Sequence, residues 1–517
     1  MNFKRKLWWA QHKNDVYKYG TILSLVLIVT ISIIYFTYSK FTSTNEMTMY
    51  ETTVEPFIKN DYFIASYIDG EWSNEIPSKN DGYVVDKIIC DNGATGTWDY
   101  STWSINVSNA TKKIKCGVYF VTGSLIDVEL YQGLIPVTYN SSGDVVVADT
   151  NTKWYDYSNH EWANAVLVNC ADSTIKSKYF NDDMSLKSSV VGSTISMDEI
   201  LQMYVYIPRY RYKLFNANNG TSEEQAVDII FEKVGTEKSN GTKNGEWLTH
   251  PAFTFGNTEL PGIWVGKFET SGTSSLPKMI PNATIITQNS LSTSFNIARS
   301  ITTSLNHIFG TSNLNDSHII KNMEWGAVAF LTNSIYGRYN DISTCIDSGC
   351  EVWINNNSNF IAGCSGSSVS DSPSSSCNEW NSKIGVNAST TGNQYGIYDM
   401  SGGAWEYVMG NYMGKIANSG FNTLPDEKYF DKYVEVSSSN DFGIFHLGDA
   451  TREVLKNVSI GQNCWYEDSN YLADQESPWY GRGGRYDYET AAGIFRIGLA
   501  TGRSGHYDTF RSVITAP

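Results

Sequence analysis

Residues 395–407 read YGIYDMSGGAWEY and end in the Trp405-Glu406-Tyr407 run. Upstream of them, from about 340 to 394, lies a stretch rich in Ser, Asn, Gly and Cys. A loop of that length inside a packed domain needs a tether or a function, and Cys345, Cys350, Cys364 and Cys377 offer tethers. Before it, SHIIKNMEWGAVAFLTNSIYG (317–337) predicts a helix. Ser317 would cap it, and Met323, Ala327, Val328 and Leu331 recur at three- to four-residue spacing. Further back, LIPVTYN (134–140), DVVVADT (144–150) and WANAVLVN (162–169) predict strands between turns, and MDEILQMYVYI (197–207) predicts a short helix capped by Ser196 that runs into a strand. Strands and short helices among long ordered loops make the fold class α+β.

Between Tyr83 and Val121 the pattern changes. YVVDKIIC, TWSINVS and IKCGVYFV are short β-branched and aromatic runs separated by DNGATG and SNATKK, which are turn chemistry. A small all-β module is expected over 76–130, with Trp98 and Trp103 in its core. A second folded unit is expected over 131–517. Two units suit a chain of 517 residues. Aromatics at 14% supply the buried area that disordered chains lack. A net charge of −16 argues against a surface that tracks phosphates, so nucleic-acid binding is excluded.

One segment is apolar enough to span a bilayer. Gly20 to Tyr38, GTILSLVLIVTISIIYFTY, carries no charge, and its length matches a ~30 Å hydrocarbon core at ~1.5 Å per residue. Lys4, Arg5, Lys6, Lys13 and Lys18 precede it against Asp15 alone. The positive-inside rule then places residues 1–19 in the cytoplasm, an anchor at 20–39, a stalk at 40–75 and the rest outside, at the plasma membrane. A cleaved signal peptide would have a shorter apolar core and a small-residue cleavage site, which Ser39-Lys40-Phe41-Thr42-Ser43 does not provide.

All eight cysteines follow the anchor, as disulfides in an exported chain would require. Local pairing suggests Cys90–Cys116, Cys345–Cys350 and Cys364–Cys377, which leaves Cys170 with Cys464. The alternative is buried, reduced thiols. No CxxC pair supports zinc or redox chemistry.

The stretch at 395–407 is similar to the Gly-Leu-x-Asp-Met-x-Gly-Asn-Val-Trp-Glu-Trp motif of formylglycine-generating-enzyme-like (sulfatase-modifying factor) domains. In the same order, Gly262-Ile263-Trp264-Val265-Gly266-Lys267-Phe268-Glu269 resembles that family's early strand. Arg482-Gly483-Gly484, Gly493-Ile494-Phe495-Arg496 and Thr509-Phe510-Arg511 resemble its closing elements. The likeness covers about 260–517 and implies a C-type-lectin-like fold. On that resemblance Trp405, Glu406, Arg482, Gly483, Gly484, Phe510 and Arg511 maintain the fold, through a buried Arg–Glu pair and a core indole.

The enzymes of this family hold copper through paired cysteines near the closing segment, but residues 465–517 contain no Cys and Cys464 stands alone. The His-x3-His-x-Glu iron motif of another branch is missing, as are a Gly-x-Ser-x-Gly elbow and a Walker loop. Adjacent acids such as Asp182/Asp183, Asp198/Glu199 and Glu223/Glu224 read as solvated charge. No catalytic residue is assigned. The fold also serves as a binding scaffold in the variable proteins of diversity-generating retroelements, and residues 479–508 are similar to such an ending. By that resemblance Tyr480, Arg485, Tyr486, Tyr488, Arg503, His506 and Tyr507 form a ligand-binding face, since Tyr and Arg offer large contact area with a polar tip. C-type-lectin-like domains often hold structural calcium. Asp399, Asn411, Asp449 and Asp468 are available, but no spacing singles out ligands.

The expectation is therefore a single-pass surface protein, an adhesin that binds an extracellular protein or glycan without catalysis. The alternative is an oxidoreductase-type enzyme of the same family with a non-standard site. A plain structural spacer would require the C-terminal aromatics to be buried.

Overall fold

The β-branched runs at 62–68, 83–90 and 115–122 pair with one another. A computed structural model describes residues 13–14, 62–73, 75–77, 83–99, 103–109, 114–122, 126–217, 221–235, 238–339, 345, 349–434, 446–456, 461–462 and 464–516. The anchor expected at 20–39 lies outside the described residues. Among the described residues no helix is long and apolar enough to cross a membrane.

Tyr62–Ile68, Glu71–Trp72, Tyr83–Cys90 and Lys115–Thr122 form a four-stranded antiparallel sheet, with Lys115–Thr122 between Tyr62–Ile68 and Tyr83–Cys90. Residues 62–72, expected in the stalk, thus belong to the module. Cys90 and Cys116 are direct cross-strand partners and form a disulfide. A hairpin of Thr95–Asp99 and Ser104–Ser108 packs Trp98 edge-on against Phe120. Trp98 and Trp103 are only half-buried, at the margin of a core formed by Ala65, Val85, Ile105, Val118 and Phe120.

The body is built on two larger sheets. In the first, seven strands run in the order Asp316–Ile319, Ser512–Thr515, Gly262–Gly266, Ile200–Pro208, Asn164–Val168, Ile135–Tyr139 and Val145–Val147. In the second, Trp405–Tyr412 lies between Asp431–Tyr433 and Trp479–Gly483, followed by Gly493–Ala500, Ser469–Asn470 and Gly461–Gln462. Asp508–Thr509 runs parallel to the start of Trp405–Tyr412. The helix Asn322–Thr332 touches strands of both sheets, and every one of its residues is buried. Its run Trp325–Leu331 is apolar on every side, and such a segment is stable only when surrounded by protein. The described residues are β-rich with few helices.

Three local expectations need correction. Ser317 does not cap a helix: it lies in the strand Asp316–Ile319, opposite Ile514, and its hydroxyl donates to the Ala298 carbonyl at 2.7 Å. The helix begins instead where Glu324 accepts the Lys321 backbone N–H at 2.8 Å. Residues 197–199 form a turn rather than a helix, because Ile200–Pro208 is claimed as a fully buried central strand. Cys345–Cys350 and Cys364–Cys377 are disulfides, but Cys170 and Cys464 are not joined. Each is a buried free thiol in a separate apolar cluster, Cys170 beside Val168 and Tyr179, Cys464 beside Trp465.

Candidate functional site

The turn Ser401-Gly402-Gly403 sets the site's position. Gly402 and Gly403 adopt φ of 80° and 64°, a region that favours glycine. A Cβ on Gly403 would also sit 2.3 Å from Glu269 Oε2. From this turn Trp405 enters the second sheet, and two surface loops are strapped to it. The Tyr486 N–H donates to the Gly403 carbonyl at 2.9 Å, and the Trp405 N–H donates to the Tyr507 carbonyl at 2.6 Å. A third tie comes from the Tyr407 hydroxyl, which donates to the Arg503 carbonyl at 2.7 Å. Loop 501–508 is held from its other side as well, by the N–H groups of Gln288 and Leu291 on the carbonyls of Gly505 and Gly502.

Held this way, five side chains alternate cation and ring. Tyr507 lies 4.2 Å below the Arg485 guanidinium, which is 4.8 Å from the Tyr488 ring. Arg496 follows, 4.3 Å from Tyr488 and 4.6 Å from Trp405. Guanidinium on aromatic faces is attractive and stiffens both partners. Asp487 binds Arg485 through two N–H···O bonds of 2.5 and 3.0 Å. Burial alone would lower Arg485's pKa, and the Asp487 carboxylate raises it instead. The Trp405 indole passes close to two strands that carry glycine where it crosses. A Cβ on Gly498 would be 2.6 Å from the indole, and one on Gly481 would be 3.3 Å away. Phe360 extends the aromatic surface, with its ring 5.0 Å from Tyr486 and 5.9 Å from Tyr507.

The seven residues expected on the ligand face divide. Arg503, His506 and Tyr507 are exposed, and Arg485, Tyr486 and Tyr488 are half-buried around them. These six lie within two adjoining loops. Tyr480 does not join them: it is fully buried, 4.8 Å from the Tyr433 ring, because both faces of its strand are covered. Arg496, Trp405 and Phe360 were not expected at the site. Trp405 is half-buried as a rung of the ladder rather than a core indole. Arg496 lies in the buried strand Gly493–Ala500, where no local pattern marks it as part of this face.

Glu406, Arg482, Phe510 and Arg511 are buried, but the ion pair differs from the one expected. Glu406 bonds Arg511, not Arg482, although Arg482 is its cross-strand neighbour. Arg511 donates through Nε to Glu406 Oε2 at 2.7 Å and onward to the Gly266 and Tyr398 carbonyls, all fully buried. Arg482 donates instead to the carbonyls of Asp449 and Ala450. Phe510 is buried, and Gly483 and Gly484 both take positive φ. Burial and the neighbouring acids Asp399 and Glu406 hold Glu269 well above the usual carboxylate range. These acids lie in the interior, and Glu269 also accepts the Ala404 N–H at 2.8 Å, beside the start of the Trp405 strand.

The candidate calcium donors are engaged separately. Asp399 accepts from Asn355 Nδ2 and the Gly363 N–H, Asp449 from Thr451 and Tyr433, and Asp468 from the Phe495 N–H. Asn411 donates to the Lys415 carbonyl. Among the described residues no three His, Cys, Asp or Glu side chains converge as a metal site would need.

No family model matches the chain, and no curated protein matches it. Among solved structures the chain is similar to Treponema denticola variable protein 1, at 10% identity and a TM-score of 0.24, over 61% of this chain and 96% of that chain. The likeness of residues 260–517 to formylglycine-generating-enzyme-like domains is therefore carried by its motifs alone.

Proposed function

We propose that this chain is a surface recognition protein that binds an extracellular protein or glycan through the face formed by loops 485–489 and 503–508, without catalysis. In this reading residues 260–517 are a C-type-lectin-like domain, and the apolar segment 20–39 tethers the chain to the plasma membrane with its N-terminus in the cytoplasm. One observation carries it: the ladder Tyr507–Arg485–Tyr488–Arg496–Trp405, with Arg503 and His506 exposed at its outer end. Aromatic anchors stiffened from below and flanked by exposed polar side chains are what a binding face needs, because the anchors have little side-chain entropy left to lose on contact. The backbone ties to residues 402–407 and 288–291 supply the rigidity.

The test is binding of the purified full chain to immobilised panels of glycans and extracellular proteins. Tyr507→Ala and Arg503→Ala are expected to weaken the bound ligand about tenfold or more, equivalent to ~1.4 kcal/mol, at unchanged thermal stability. Lys415→Ala, outside both loops, serves as the control. Retention of every signal by both face variants would sink the reading.

A further inference from the structure

Lys267 is fully buried, and among the described residues no carboxylate pairs with it. It follows the strand Gly262–Gly266, while Asn164 opens Asn164–Val168, with Ile200–Pro208 between the two. The Lys267 Nζ donates to Asn164 Oδ1 at 2.8 Å and to the Gln394 carbonyl at 2.6 Å. A third group completes the arrangement: the Tyr139 hydroxyl donates to the same Asn164 Oδ1 at 3.0 Å. The amide cannot turn over without loss, because its Nδ2 donates to the Trp162 and Tyr395 carbonyls at 2.9 and 2.8 Å. Asn164 is itself 1% exposed, so water is kept from the pair.

We propose that Lys267 and Asn164 join in an intramolecular isopeptide bond once the body has folded. The Lys267 amine attacks Cγ of Asn164, and the carbonyl π pair moves onto Oδ1, where the Tyr139 hydroxyl already donates. As the tetrahedral centre collapses, the Nζ–Cγ amide remains and the Cγ–Nδ2 bond breaks. The departing nitrogen takes one of the two amine protons and leaves as ammonia. No oxidant, nucleotide or metal is consumed.

Two effects act on the amine in opposite directions. Burial lowers its pKa well below the usual lysine range, which favours the nucleophilic form. The rings of Tyr139, Trp380 and Tyr398, 5.3 to 5.6 Å from Nζ, favour the ammonium. A small neutral fraction suffices, since the two groups stay in contact for the lifetime of the fold and proximity replaces a bimolecular encounter. The bond would tie the start of Asn164–Val168 to the end of Gly262–Gly266, which are not neighbours in the sheet, across a sequence separation of 103.

Tandem mass spectrometry on the full chain, reduced, alkylated and cut with trypsin, decides the matter. The expected product is peptide 154–176 joined to peptide 244–278, uncut after Lys267 and lighter than their sum by one ammonia. Lys267→Arg and Asn164→Ala are expected to abolish it. Recovery from wild type of 244–267 with a free lysine and 154–176 with an intact amide overturns the proposal, whether or not the variants fold. Ammonia lost elsewhere, at Asn240-Gly241 or Asn244-Gly245, leaves the two peptides unjoined and overturns it equally.

Discussion

Arg511 is the one cation among three buried acids, and replacing it should be among the most costly single changes in the body. Glu406, Glu269 and Asp399 are each no more than 1% exposed, and Arg511 interacts with all three. Removing one partner of a buried ion pair costs about 3–5 kcal/mol, because the remaining charge keeps its desolvation penalty. Glu406→Gln leaves an acceptor of the same shape, and Glu269 and Asp399 still face the guanidinium, so about 3 kcal/mol is expected. Arg511→Met leaves Glu406 without its partner and also frees the Gly266 and Tyr398 carbonyls. Its cost should reach about 5 kcal/mol or more, a large part of the ~5–15 kcal/mol that holds a domain folded. Arg482→Met removes a cation whose bonds go to two carbonyls, which sets a lower cost of about 2 kcal/mol. Urea unfolding of the full chain, followed by tryptophan fluorescence, orders the three. An Arg482→Met loss equal to that of Arg511→Met, or an Glu406→Gln loss below about 1 kcal/mol, would refute the pairing argument.

The thiols offer a sharper count: the unreduced chain should yield two reactive thiols with a thiol reagent when unfolded and none when native, since Cys170 and Cys464 are buried and burial pushes Cys170 up to about 11. A disulfide between them would give none in either state. Stability should fall as pH rises from about 4 to 8. Burial lifts Asp468 and Glu453 to about 8 and Glu351 to about 9, so the folded state holds protons that the unfolded chain has released. Asp468→Asn should flatten that decline by up to about 1.4 kcal/mol per pH unit, read from urea midpoints. Gly498→Ala should disturb the ladder without opening the core, because its Cβ would press on Trp405 from 2.6 Å. An overpacking cost of about 1–3 kcal/mol, with ligand binding weakened in parallel, is expected; wild-type binding would show that Trp405 is not part of the face.

Local chemistry was the most legible part of the sequence. The turns DNGATG and SNATKK and the β-branched runs around them mark the module, and cysteine spacing marks three cross-links between near neighbours. Ser317 shows where such reading stops, since its capping chemistry was overruled by the strand Ser512–Thr515 arriving from nearly two hundred residues away. Tyr480 and Tyr507 show why the site was legible only in part. Alternation along a strand reveals an outward face only when one face meets water, and Trp479–Gly483 is covered on both sides. Glu406 had two arginines to choose from. The choice depended on where the carbonyls of Asp449 and Ala450 lie, which no local pattern records.

The strand Ser512–Thr515 lies inside the first sheet, between Asp316–Ile319 and Gly262–Gly266. During synthesis, then, the ribosome must have delivered residue 515 before Trp264 can find Ile514 or His318 can find Val513. Domains commonly fold as the chain emerges, but the first sheet keeps a gap in its middle until that strand appears. Deleting Ser512–Thr515 would remove that sheet's interior strand and leave Trp264 and His318 without their cross-strand partners Ile514 and Val513.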